Sequence, residues 1–177
     1  MGNGFIFNAI LIGEKREMNL IMGIIPCKDR FFLDKALSVV KPGLEELSNQ
    51  SNGETTYYGI VTELYSGTMQ ISMAYIDNDN TPDGKEQLTV MQKMLTDAPL
   101  DYAGFSIFQL WQNSFHVFAA YLVPQYRNGA LLRQGFEKVE KQARLLGAPY
   151  ISLCTREHEL VKRLGFIETY ATFRKKL

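Results

Sequence analysis

The run Pro124-Gln125-Tyr126-Arg127-Asn128-Gly129-Ala130-Leu131-Leu132 carries residue types that can hold a phosphate. It stands where a strand pattern gives way to a helical one. The first turn of a helix offers N–H groups without intrahelical partners and the positive end of the helix dipole. Gly129 allows close backbone approach and Arg127 adds a cation. The same run also reads as an ordinary strand-to-helix turn, with Arg127 solvated and Gly129 a bend former. Upstream, His116 bears an imidazole that titrates near neutrality and can act as a base without special tuning. Its even offset from Leu122 puts both on one face of a regular strand. The plainer reading of His116 is a half-buried strand residue with a satisfied hydrogen bond. Tyr126, Tyr170 and Cys154 could supply a proton, although Cys154 also suits a small buried hydrophobe. His158, between Glu157 and Glu159, reads as solvated, and Trp111 with its aromatic surroundings reads as core.

These groups need a scaffold, and its elements can be traced along the chain. Asn19 to Ile25, closed by Pro26, reads as a buried strand. Asp29 can cap a helix whose apolar residues run from Phe31 to Val40, with Pro42-Gly43 interrupting before a further turn through Leu44 and Leu47. Ser48 to Gly53 reads as a loop. Thr56 to Tyr65 reads as a short helix with Gly67 where a C-cap would sit. Gln70 to Ile76 alternates as a strand, Asp77 to Gly84 is a run of turn formers, and Gln87 to Leu95 is expected to return as the partner strand. Phe105 to Trp111 and Phe115 to Val123, flanking Gln112-Asn113-Ser114, read as a hairpin. A helix then follows Pro124, its apolar face being Leu131, Leu132, Gly135, Phe136, Val139, Ala143 and Leu146. Glu137 with Lys141, and Glu140 with Arg144, are expected i,i+4 pairs on its outer face. Gly147 and Pro149 stop that helix, and Tyr150 to Cys154 supplies a strand parallel to the one before it.

The fold class that results is α/β with a mixed sheet, mostly antiparallel, with one parallel βαβ crossover near the C-terminus. A chain of 177 residues with 46% hydrophobic content can bury a single core. Nineteen basic residues balance nineteen acidic ones, so no global field holds the protein on nucleic acid or an anionic membrane. Two cysteines, Cys27 and Cys154, lie far apart without a metal-binding spacing, so no metal is expected and a reducing, cytoplasmic compartment fits. The apolar run Phe5 to Ile12 is too short to span a bilayer and lacks signal-peptide flanks. Residues 1–17 are expected to form an extension, an extra strand, a partner-binding arm or a non-native leader, because Met18 can itself be a start. Residues 18–177 form one expected domain.

Order of elements and local residues together resemble the GNAT superfamily of N-acetyltransferases. That family's strand ends near L-x-V-x-P-x-Y-R and runs into R-x-x-G-x-G/A at a helix start. Here Pro124-Gln125-Tyr126-Arg127 matches the Pro-x-Tyr-Arg core without a gap, and Leu122 occupies the final position of L-x-V. Ala143-Arg144 and Gly147 match an A-R-x-x-G ending, and Lys162-Arg163-Leu164-Gly165-Phe166 is similar to its K-L-G-F signature. The likeness is specific over the last third and topological before it. Three positions depart from the pattern: Ala130 and Leu132 replace the two glycines, and Val161 replaces the tyrosine often found before K-L-G-F. Leu132 either obstructs the phosphates or turns into the core.

What the resemblance implies is an acyl-CoA-dependent N-acetyltransferase acting on an unidentified primary amine by direct attack. Acetyl-CoA is the implied co-substrate, and the amine belongs to a small molecule or a protein. The implied cofactor-binding residues are Tyr121, Leu122, Arg127, Asn128, Gly129, Ala130, Leu131 and Leu132, with the Leu122 backbone N–H on the thioester carbonyl. The implied catalytic residues are His116, at the position of a catalytic glutamate in histone-type members, and Tyr126. The altered glycines, Val161 and the basic Arg174-Lys175-Lys176 also resemble phage and prophage GNAT-like proteins. The competing expectation is therefore a catalytically silent, binding or virion-associated protein on the same fold. An aminoacyl or peptidyl transferase is a third reading, and a homodimer stays open.

Overall fold

A computed structural model describes residues 18–50, 56–96, 101–111, 114–153, 162–163 and 165. The elements run β1 (Leu20–Ile24), α1 (Arg30–Gln50), α2 (Tyr57–Ser66), β2 (Gln70–Ile76), α3 (Glu86–Leu95), β3 (Tyr102–Trp111), β4 (Ser114–Leu122), a 3-10 turn (Pro124–Tyr126), α4 (Gly129–Leu145) and β5 (Tyr150–Leu153). Five strands form one sheet in the order β1-β2-β3-β4-β5. The first three pairings are antiparallel and β4 with β5 is parallel, as the crossover through α4 requires.

Alternation along each strand feeds two cores. One face turns Ile71, Met73, Phe105 and Ile107 toward Leu33, Val40 and Leu44 of α1 and Ile60 and Leu64 of α2. The other turns Met22, Ala74, Phe108, Phe115 and Val117 toward Val139 and Ala143 of α4. The outer edge of β1 is covered by side chains. Gln87 accepts from the Ile24 N–H at 2.8 Å and donates to the Ile24 carbonyl at 2.6 Å. Gln134 accepts from the Leu20 N–H at 2.9 Å. Both occupy backbone groups that would otherwise template further pairing.

Four expectations differ. Gln87 to Leu95 is not a strand: α3 is helical because Glu86, Val90 and Met94 are buried at a spacing of four, so β2 takes β3 as its second neighbour. Pro42-Gly43 does not interrupt α1, which runs on to Gln50 and absorbs Ser48 to Gln50 from the expected loop. Proline costs one backbone bond there, but Val40, Gly43 and Leu44 form one continuous buried face. Lys141 does not pair with Glu137. It reaches Glu86 of α3 at 2.9 Å, where Lys138 also binds at 3.0 Å, while Arg144 with Glu140 forms as expected at 3.2 Å. Leu146 caps α4 and is exposed.

Glu86 is 8% exposed. Burial raises its pKa, but the hydrogen bonds from Lys141 and Lys138 outweigh that and leave it below the usual carboxylate value. Glu86→Ala removes the carboxylate that Lys138 and Lys141 share, leaving Lys141 only Asp83 at 3.8 Å, and unlinks α3 from α4. It is expected to cost about 2 kcal/mol, or about 4–8 °C in Tm, in a thermal unfolding scan.

Candidate active site

Strand β4 carries a bulge that organises the site. Phe108 pairs with Val117 and Ile107 with Ala119, leaving Phe118 as the extra residue. Each pair shares a sheet face. His116 opposite Gln109 therefore lies on the α1 face, whereas Leu122 opposite Gly104 lies on the α4 face. The expected shared face of His116 and Leu122 is thus lost to one inserted residue. The His116 Nδ1 atom sits 2.9 Å from the Ser152 Oγ atom, and Ser152 Oγ in turn lies 2.9 Å from Ser114 Oγ, which ties β4 to β5.

Burial pushes the His116 pKa below its ordinary value of 6.5. The folded protein thus holds this ring neutral at pH values where the unfolded chain protonates it. Above about pH 6.5 neither state is charged and the ring adds no pH dependence. As pH falls through 6.5 the unfolded chain takes up the proton first, and stability drops. Wild-type protein is expected to lose more Tm than His116→Gln between pH 7.5 and pH 5.5, as thermal scans across that range will read.

Beyond Val117, β4 has no β5 partner among the described residues. The Val123 N–H donates to the Ala103 carbonyl at 2.9 Å. Antiparallel alternation then turns the N–H and C=O of Leu122 and Ala120 away from β3, toward that free edge. A cavity of about 490 Å³ wraps round the edge. Six of the eight expected cofactor-binding residues line it: Tyr121, Leu122, Arg127, Asn128, Gly129 and Leu132. Ala130 is exposed beside it, and Leu131 is buried against Leu20, Ile76 and Ala103. Tyr126 packs its ring on that same cluster and, like His116, is not part of the lining. Cys154, His158, Val161 and Tyr170 lie outside the described residues, as do Phe166 and Arg174-Lys175-Lys176.

Helix α4 opens onto the cavity with its N-terminus. Asn128 is the N-cap, its Oδ1 accepting from the Leu131 N–H at 2.9 Å. The N–H groups of Gly129 and Ala130 belong to the same first turn and have no i−4 carbonyl. A Cβ built on Gly129 would meet nothing within 4 Å, so this backbone is open to a ligand. Leu132 does not turn into the core: it is half-buried and lines the cavity wall.

At the mouth stands Glu46, which no local motif marks. It accepts from the Arg127 Nη2 at 2.8 Å and from the Tyr121 hydroxyl at 2.8 Å. These two donors, Arg127 foremost, hold its carboxyl below the usual range. Arg127 also donates its Nε to the Leu122 carbonyl at 2.8 Å and lies over the Tyr121 ring. The only sequence sign of Glu46 is its place beside Leu44 and Leu47 near the end of α1, at the border of an apolar stripe. Deep in the cavity, Ser106 is 1% exposed and its hydroxyl has no hydrogen-bond partner. Among the described residues no group of three or more His, Cys, Asp or Glu could hold a metal, and no helix is long and apolar enough to cross a membrane.

No family model matches the sequence, and no curated protein matches it. Solved structures match in shape. An aminoglycoside acetyltransferase from an uncultured soil metagenomic sample, in complex with sisomicin, aligns with a TM-score of 0.54 at 8% identity over 89% of this chain and 96% of that chain. The ribosomal-protein-alanine N-acetyltransferase of Brucella melitensis biovar Abortus 2308 aligns with a TM-score of 0.52 at 10% identity, covering 89% and 99%. A Bacillus subtilis protein assigned to the acetyltransferases aligns with a TM-score of 0.53 at 13% identity, covering 90% and 99%. At such identities the likeness is one of fold, and the fold is that of the GNAT-type acyl-CoA N-acyltransferases.

Proposed function

We propose that the protein is an acyl-CoA-dependent N-acetyltransferase that acetylates a primary amine by direct attack. The observation that carries this reading is one cavity in which the outward-turned Leu122 N–H meets the N-terminus of α4. The pyrophosphate of the co-substrate would lie on the N–H groups of Gly129 and Ala130, with Asn128 and Arg127 beside it. The thioester carbonyl would lie against the Leu122 N–H. The amine nitrogen attacks that carbon, the oxyanion collects on the Leu122 N–H, the C–S bond breaks as the carbonyl re-forms, and the proton that the new amide nitrogen gives up passes through solvent to the leaving thiolate. Glu46, held ionised by Tyr121 and Arg127, attracts the acceptor as an ammonium ion, which sheds its proton to solvent before attack. Tyr126 positions the start of α4, and His116 serves by joining β4 to β5.

The catalytically silent reading, a binding or virion-associated module, draws support from one feature. Arg127 is engaged by Glu46 and the Leu122 carbonyl, and a carboxylate at the mouth repels phosphate. Because this ion pair is exposed, it is weakly held, and an incoming pyrophosphate can redirect the guanidinium. The two readings separate in a thiol-release assay with acetyl-CoA over a panel of primary amines, with the product identified by mass. The transferase reading expects amine-dependent release and a product heavier by one acetyl group. Bound acetyl-CoA that no amine turns over would favour the silent reading.

A further inference from the structure

On the α4 side of the β4 edge the cavity changes character. The register places Leu122, Gly104, Ala74 and Met22 in one row across β4, β3, β2 and β1. Two small residues thus stand between two large ones, making a trough under α4. Three strand spacings give it a length of about 14 Å from Leu122 to Met22. Over it, Gly135 presents no side chain, and a Cβ built there would meet nothing within 4 Å. The remaining walls here, including Leu20, Val117, Phe136 and Val139, are apolar. The charged lining residues, Glu46 and Arg127, sit at the mouth and bind each other. Among the described residues the single polar side chain in the trough is Ser106, buried, without a partner and on the α4 face with Ala120. A well-packed core leaves neither such a gap nor such a hydroxyl.

An acetyl group is two carbons long and would use little of this space. We propose that the trough receives an uncharged acyl chain longer than acetyl, entering at Leu122 and running beneath Gly135 toward Met22. This deepens the acyl-CoA reading and rests on it. The trough is continuous with the Leu122 edge where the thioester carbonyl would lie, so the chain attached to that carbonyl is its natural occupant. Each methylene buried adds apolar contact, while a terminal carboxylate would be stranded without a cation. Ser106 can donate to an oxygen of the bound group or to a water beside it.

The test is titration calorimetry of the full chain with acetyl-, hexanoyl-, decanoyl- and adipoyl-CoA. Decanoyl-CoA is expected to bind at least about tenfold tighter than acetyl-CoA, and hexanoyl-CoA tighter than adipoyl-CoA, its equal in length but carboxylate-ended. Gly135→Leu fills the trough from a position with free space and improves helix propensity, so it is expected to fold. It is expected to collapse the decanoyl-to-acetyl ratio by about tenfold or more. Ala74→Leu narrows the trough from the sheet side and gives an independent second variant. Equal affinity for acetyl- and decanoyl-CoA, or a ratio unmoved by both variants, overturns the inference while leaving acyl-CoA binding intact. Failure of all four to bind defeats the acyl-CoA reading itself, and this inference with it.

Discussion

Leu122→Pro is expected to lower turnover with acetyl-CoA by about 10²–10³-fold, the usual consequence of removing one oxyanion donor, while the protein stays folded. Proline deletes a single backbone N–H, and in β4 the Leu122 N–H is turned away from β3, as the neighbouring Val123 bond to Ala103 requires. The β3–β4 ladder therefore loses no bond. Proline is tolerated where a strand's N–H faces outward, and Leu122 is the last residue of its strand. Leu122→Ala controls for the lost side chain because it keeps the N–H and should retain most of the rate. The comparison isolates one hydrogen. Equal rates for the proline and alanine variants would remove the Leu122 N–H from the chemistry.

Gly104→Ala is expected to be the most destabilising single-methyl change in the sheet, costing about 3 kcal/mol and lowering Tm by about 6–12 °C. A Cβ at this position would stand 2.0 Å from the Tyr121 carbonyl oxygen. That neighbour is backbone in a paired strand and cannot rotate aside, so β3 and β4 must separate. Tyr121 and Leu122 both line the cavity, and the same separation disturbs the edge that would hold the thioester. Thermal unfolding with parallel binding measurements should show both losses together. By contrast Gly135→Ala, on a half-buried helix turn beside the cavity with open space at its Cβ, should be neutral or stabilising by up to about 1 kcal/mol.

The contrast between these glycines shows where sequence reasoning reaches and where it stops. The transition from β4 through Pro124 into α4 is legible because each step has a local cause: the strand pattern, proline punctuation, the Asn128 cap and the 3.6-residue apolar period. The short helix after Thr56 is legible for the same reason, with Thr56 capping the Gly59 N–H and Gly67 in the left-handed conformation. Helix α3 is not, because the apolar residues Leu88, Val90, Met91, Met94 and Leu95 also suit a strand, and the buried Glu86 that joins their helical face meets lysines of α4 far along the chain. The bulge at Phe118 has no local signature either. Yet it decides which face His116 and Leu122 occupy, and so puts the expected base on the face opposite the residue whose N–H was expected to hold the carbonyl. Glu46 reaches Arg127 across 81 positions of sequence, a contact that only the folding of α1 against β4 creates. Ser106 is equally silent in the sequence, since its isolation depends on small neighbours in other strands.

Backbone amide shifts recorded by NMR during a titration with acetyl-CoA bear on the site most directly. Binding at sub-millimolar concentration is expected, with the main perturbations at Leu122, Gly129 and Ala130 and smaller ones at Arg127 as its guanidinium leaves Glu46. A spectrum unchanged at millimolar acetyl-CoA, or shifts clustered away from the β4 edge and the first turn of α4, would contradict it.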